Sequence, residues 1–287
     1  MEAAPEMNDA ESSPPAAVET AAGRQRRFRP VPLRLLIPNL ITLLAMCLGL
    51  TAIRFAYEGS INWAVSAIAA AAVLDGLDGR VARALKGTSR FGAELDSLAD
   101  FVDFGVAPAL VLYLSGLEKL KALGWMATLV FAIACSLRLA RFNVTIDDPD
   151  MPAWRKTFFV GMPAPAGAIV GLLPVYCGFL VSGNAPSSPF LWLELAYVLG
   201  VALLMASRVP HFSGKSIGRV PREYVAVVLI ALAVALLLII SYPLQALIAL
   251  SLLYLASIPF SIRHFQRLRR ENDFGGKSDF VDKAVSP

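Results

Sequence analysis

Eight apolar runs, each near the length that crosses a bilayer, constrain this chain more than any other feature. They cover roughly 38–57, 61–83, 97–116, 123–141, 160–181, 190–206, 224–241 and 244–262. A helix of about 20 apolar residues spans a hydrocarbon core about 30 Å thick. With 56% hydrophobic and only 17% charged residues, an ordinary soluble domain is excluded. The expected fold is an all-α polytopic membrane protein with about eight transmembrane helices.

The position of the charges orients it. With the N-terminus placed in the cytoplasm, 23 of the 26 Lys and Arg residues fall on cytoplasmic segments, and only Arg54, Lys119 and Lys121 do not. Cytoplasmic loops carry such an excess, so an even number of spans with both termini inside is expected. The three cysteines (Cys47, Cys135, Cys177) lie in apolar runs and offer neither a disulfide framework nor zinc spacing. His211 and His264 are the only histidines, which all but removes histidine-based metal or triad chemistry. No nucleic-acid partner is expected.

Four regions follow. Residues 1–23 hold five acidic residues and no Lys or Arg, and read as a disordered tail rather than a signal peptide. Residues 24–37 turn abruptly basic and apolar, as an interfacial segment on anionic lipid does. Prolines 30 and 32 argue against a long helix before Leu33. Residues 38–265 hold the spans. Residues 266–287 read as a basic, then disordered, cytoplasmic tail.

Carboxylates are costly near a membrane interior, so clusters of them mark function. Asp75 and Asp78 share a helix face, as do Asp96 and Asp100, and a basic turn (Lys86-Gly87-Thr88-Ser89-Arg90) separates the pairs. A helical hairpin brings the four together at the cytoplasmic end. So many like charges need cations between them, and oxygen-only ligands suit Mg²⁺ or Mn²⁺. The stretch reads as a two-metal site. Asp103 is a fifth acidic residue, either bonding behind the site or facing solvent in its cleft.

Around it, Pro38 opens the first span, with Asn39 and Thr42 level with the carboxylates as caps or substrate contacts. Gly79 leaves its backbone approachable, and Arg83 suits phosphate oxygens. Arg138 and Arg141 share a helix face and serve as interface anchors or as an anion site. Lys215 lies in a cytoplasmic loop whose polar groups reach toward the cavity.

The pattern D-x2-D-G-x2-A-R-x8-G-x3-D-x3-D is met by Asp75, Asp78, Gly79, Ala82, Arg83, Gly92, Asp96 and Asp100. It is similar to the signature of the CDP-alcohol phosphotransferase family. The stretches Ser97–Asp100 with Phe104–Ala109, Leu137–Asn143, Phe159–Pro165 and Ser207–Lys215 resemble its membrane-integral phosphatidylserine synthases. The resemblance implies a six-helix catalytic core and transfer of the phosphatidyl group of CDP-diacylglycerol to L-serine. It implies one metal ion on Asp75, Asp78 and Asp96, a second on Asp96 and Asp100, and Asp100 as base. Pro38, Asn39, Thr42, Gly79, Arg83 and Ser89 would contact CDP-diacylglycerol, and Arg138, Arg141 and Lys215 the serine. A homodimer in a bacterial-type inner membrane is implied as well.

Glycerol 3-phosphate or inositol phosphate as acceptor is the nearest alternative. A divalent-cation transporter is remote, since transport sites lie near the bilayer midplane.

Overall fold

The first helix starts at Leu33, directly after the two prolines. The computed structural model describes residues 33–146, 158–182, 190–207, 210–212 and 241–284, with isolated positions between 227 and 238. Leu33–Pro287 forms a single compact unit. Helix α1 (Leu33–Tyr57) turns at Gly59 into α2 (Ile61–Ala84). Helix α3 (Arg90–Asp100) continues through a π-helical turn (Phe101–Val106) into α4 (Ala107–Ser115). A short 3₁₀ turn leads to α5 (Ala122–Ile146). Then come α6 (Ala164–Gly171), α7 (Leu173–Ser182), α8 (Leu191–Ala206) and α9 (Pro243–Ala284).

The protein is an all-α polytopic membrane protein. Among the described residues, six helical segments are long and apolar enough to cross a membrane: Arg34–Tyr57, Ile61–Ala84, Arg90–Ser115, Ala122–Val144, Ala164–Val181 and Pro243–His264. The expected run at 190–206 is a helix of 16 residues, short of a full crossing. The run expected at 224–241 lies largely outside the described residues, as do the acidic tail and most of the basic segment at 24–37.

Three boundaries differ from expectation. The third span begins at Arg90 rather than near Asp96, because Ser89 caps it: the Gly92 N–H donates to Ser89 Oγ at 3.0 Å. Pro38 lies inside α1 rather than opening it, sixth in the helix, where its missing N–H removes the bond that would go back to the Arg34 carbonyl. The last helix runs on past His264 to Ala284, through residues expected to lack structure. At 42 residues it is about 63 Å long, twice a bilayer core.

Small residues set the closest packing. Ala45, Ala52 and Ala56 of α1 and Ala64, Ala67 and Ala71 of α2 are buried, so the two helices approach closely. The larger core residues Phe104, Leu112, Phe131, Met162, Tyr176 and Met205 knit α4 to α8 around the π-helical turn. Leu44, Ile133, Leu203 and Leu253 stay exposed, as lipid-facing residues do. A two-stranded ribbon, β1 (Phe158–Val160) with β2 (Pro210–Phe212), sets Phe159 opposite His211. It ties the entry to α6 to the exit from α8, at the end of the bundle where α2 finishes and α3 begins.

Candidate metal centre and its surroundings

Helix α2 delivers Asp75 and Asp78 in its last turns, and α3 carries Asp96 and Asp100 one turn apart. Carboxylate oxygens of Asp75, Asp78 and Asp96 all lie within 4.8 Å of one another. Opposite ligands of a Mg²⁺ ion, each at 2.0–2.1 Å, stand about 4.2 Å apart. The three aspartates are therefore close enough to converge on one hard divalent cation through small side-chain movements. Asp100 adjoins Asp75 on the other side, carboxyl against carboxyl.

Neighbours hold these ligands. Thr42 of α1 donates its hydroxyl to Asp78 Oδ2 at 2.7 Å and also lies 3.2 Å from the Pro38 carbonyl. Metal-binding carboxylates are commonly oriented by such bonds. Asp78 is only 5% exposed, so the threonine answers a desolvated oxygen. Arg138 is 8% exposed, carries its charge within reach of Asp75 and Asp100, and stacks over the Phe142 ring at 5.1 Å. Such a buried guanidinium beside carboxylates relieves part of their mutual repulsion.

The structure brings most of the expected site residues to this end of the bundle. Asn39 packs on the first turn of α3: a Cβ at Gly92 would stand 2.9 Å from Asn39 Oδ1 and 3.2 Å from Ser89 Oγ. That crowding accounts for glycine in the signature at this position. In front of Gly79 a Cβ would meet only Arg83 Nη1, at 3.5 Å, so this surface stays open beside a flexible cation. Two residues have local tasks that their spacing does not reveal. The Ser89 hydroxyl caps α3, and Arg141 Nη1 donates to the carbonyls of Ala206 at 2.8 Å and Ser207 at 3.2 Å, closing the C-terminus of α8. Lys215 lies outside the described residues.

Asp103, left open between two places, is 1% exposed and does not face solvent. Its carboxyl lies against Gly49 of α1, and Oδ1 has no hydrogen-bond partner among the described residues. Sequence reasoning also missed Tyr254. The last helix carries it within electrostatic reach of Arg138, and a phenol in an otherwise apolar run was the only signal. Ser97 and Asn143 were passed over too: the Asn143 amide donates to Ser97 Oγ at 2.9 Å.

A family model described as CDP-alcohol phosphatidyltransferase matches residues 35–205. The chain is similar to the CDP-diacylglycerol–serine O-phosphatidyltransferase of Mycobacterium leprae, at 45% identity over 246 residues, which are 85% of this chain and 79% of that protein. The protein of the same name from Mycobacterium tuberculosis is 44% identical over 247 residues, 84% of this chain and 82% of the relative. That from Bacillus subtilis is 36% identical over 178 residues, 61% and 90% of the two chains.

Proposed function

Because the chain belongs to the CDP-alcohol phosphatidyltransferase family, we propose that it transfers the phosphatidyl group of CDP-diacylglycerol to L-serine, giving phosphatidylserine and CMP. The carboxylate cluster of Asp75, Asp78 and Asp96 beside Asp100 is the observation that carries the reading. The serine assignment draws on the relatives' names.

The donor set suits two ions, Mg²⁺ or Mn²⁺, with Asp75, Asp78 and Asp96 holding one and Asp96 with Asp100 the other. Bound there, they would neutralise the pyrophosphate oxygens and ease departure of CMP. The chain's own residues do the rest. Serine Oγ forms the new bond to phosphorus, the bond from phosphorus to the CMP oxygen breaks, and the Oγ proton passes to a carboxylate oxygen of Asp100. A carboxylate is a weak base for an alcohol, so transfer runs late, as attack proceeds.

Arg138 offers its guanidinium to the serine carboxylate close to Asp100, as Arg suits carboxylate recognition. The open backbone at Gly79, Arg83 and the Asn39 amide receive the CDP part of the lipid, with Pro38 in the same wall. Thr42 acts through Asp78, and Ser89 through the start of α3. Lys215 is assigned to the acceptor, and Arg141 holds the end of α8. Seating both substrates in one cleft turns a two-phase encounter into a positioned reaction.

We read the charge distribution as support for a cytoplasmic active-site face and cytoplasmic termini, in a bacterial-type inner membrane, with the enzyme working as a homodimer. Membranes containing the protein, supplied with CDP-diacylglycerol and isotopically labelled L-serine, convert the label to chloroform-soluble phosphatidylserine. Label confined to the aqueous phase overturns the acceptor.

A further inference from the structure

Two contacts and one charge interaction record how α3 and α5 meet. Asn143 Nδ2 donates to Ser97 Oγ at 2.9 Å, and the Ser97 hydroxyl passes on toward the Ala93 carbonyl at 3.1 Å. Further along α3, Asp100 lies within electrostatic range of Arg138 on α5. Further again, a Cβ at Gly105 would stand 3.1 Å from Cys135 Cβ and 3.2 Å from its Sγ. Numbers rise along α3 as they fall along α5, so the helices run antiparallel. The Ser97–Asn143 bond and the Gly105–Cys135 contact bracket the positions of Asp100 and Arg138.

The π-helical turn at Phe101–Val106 makes this possible. In a regular α-helix, residues five apart point more than a third of a turn away from each other. A π turn closes i to i+5, so Gly105 returns to the side that Asp100 presents to α5. The same turn swings Asp103 off that side and onto Gly49 of α1.

The geometry points to Ser97 and Asn143 as positioning residues: their bond sets the α3–α5 register that holds Arg138 beside Asp100, and with it the seat for an amino acid's carboxylate next to the proton-accepting group. This rests on the function proposed above. The magnitudes separate it from a plain structural bond. A partly exposed neutral hydrogen bond contributes about 1 kcal/mol to stability, whereas a misplacement of about 1 Å at a reacting centre costs about a hundredfold in rate. Arg138 carries its charge toward Asp100 on a long side chain with several rotatable bonds, so its placement depends on where α5 stands. Asn143 lies just over one turn from Arg138 and Ser97 next to Asp96, so each passes a shift directly to the site.

The test uses the purified full-length protein, with CMP release measured against both substrates and Mn²⁺ affinity read from free-ion electron paramagnetic resonance. Asn143→Ala and Ser97→Ala each raise the serine KM about tenfold. The KM for CDP-diacylglycerol and the Mn²⁺ affinity stay within about twofold. Ser97→Thr, which keeps the hydroxyl, keeps the wild-type serine KM, and the double Ala variant is no worse than either single one. Parallel rises in both KM values, additive losses in the double variant, or a fall in melting temperature with unshifted KM would each overturn the positioning role. Wild-type protein that releases no CMP with serine would overturn the functional reading underneath it instead.

Discussion

Thr42 of α1 gives its hydroxyl to Asp78 Oδ2 at 2.7 Å, joining the first helix to a carboxylate of the aspartate cluster on the second. A residue that invites assignment as a lipid contact also braces one of the three aspartates that could hold an ion. Removing such a partner commonly costs 10- to 100-fold in metal affinity. Thr42→Val therefore weakens Mn²⁺ binding by at least about tenfold, while Thr42→Ser retains it. Wild-type affinity in the valine variant would show that Asp78 needs no such support.

Asp100 is the proposed proton acceptor, and general bases contribute about 10²- to 10⁴-fold. Asp100→Asn lowers the rate of CMP release by that order and leaves CDP-diacylglycerol binding largely intact, because Asp75, Asp78 and Asp96 remain. Nucleotide binding measured beside turnover separates the two. Near-normal turnover would remove Asp100 from the role.

Gly92 has no room for a side chain against Asn39 Oδ1 and Ser89 Oγ. Gly92→Ala destabilises the fold by about 1–3 kcal/mol, the usual cost of overpacking, seen as a lower melting temperature in detergent. Adding Asn39→Ala recovers part of the loss. An unshifted melting temperature in the single variant would mean that α3 slides freely on α1.

Arg141 shares a helix face with Arg138 in sequence, and on that ground the two invite one role. The structure parts them: Arg138 lies beside the carboxylates, and Arg141 donates to Ala206 and Ser207. Arg141→Ala lowers the melting temperature and shifts the KM values of both substrates in step, because the end of α8 loosens as a whole. A selective rise in the serine KM would return Arg141 to the acceptor site.

What was legible in the sequence follows from range. The membrane spans show because hydrophobicity over 20 residues is a local property, and the aspartate pairs show because helical spacing is local too. Asp75, Asp78 and Asp96 do converge. The Arg141 contact joins residues 65 and 66 positions apart, and the Thr42–Asp78 bond spans 36, distances at which no pattern in the letters speaks. The π-helical turn was hidden because Phe101–Val106 inserts its extra residue into a largely apolar run without a proline, and its one acidic residue, Asp103, fits a regular helix equally well. That turn decides where Asp103 goes, which explains why spacing alone left it open. Ser89 could have been read as a helix cap from its place before Arg90. The continuation of α9 to Ala284 crosses two glycines, Gly275 and Gly276, which pointed the other way.

The most direct measurement is CMP release from CDP-diacylglycerol by the purified protein, stripped of metal and then given Mg²⁺ or Mn²⁺. L-serine, glycerol 3-phosphate and inositol phosphate are each offered alone. The account requires release with serine only, absent without a divalent ion and restored by either one. Release with a different acceptor would keep the carboxylate chemistry and contradict the serine assignment. Equal release with and without metal, or none with any acceptor from folded protein, would contradict the account at its centre.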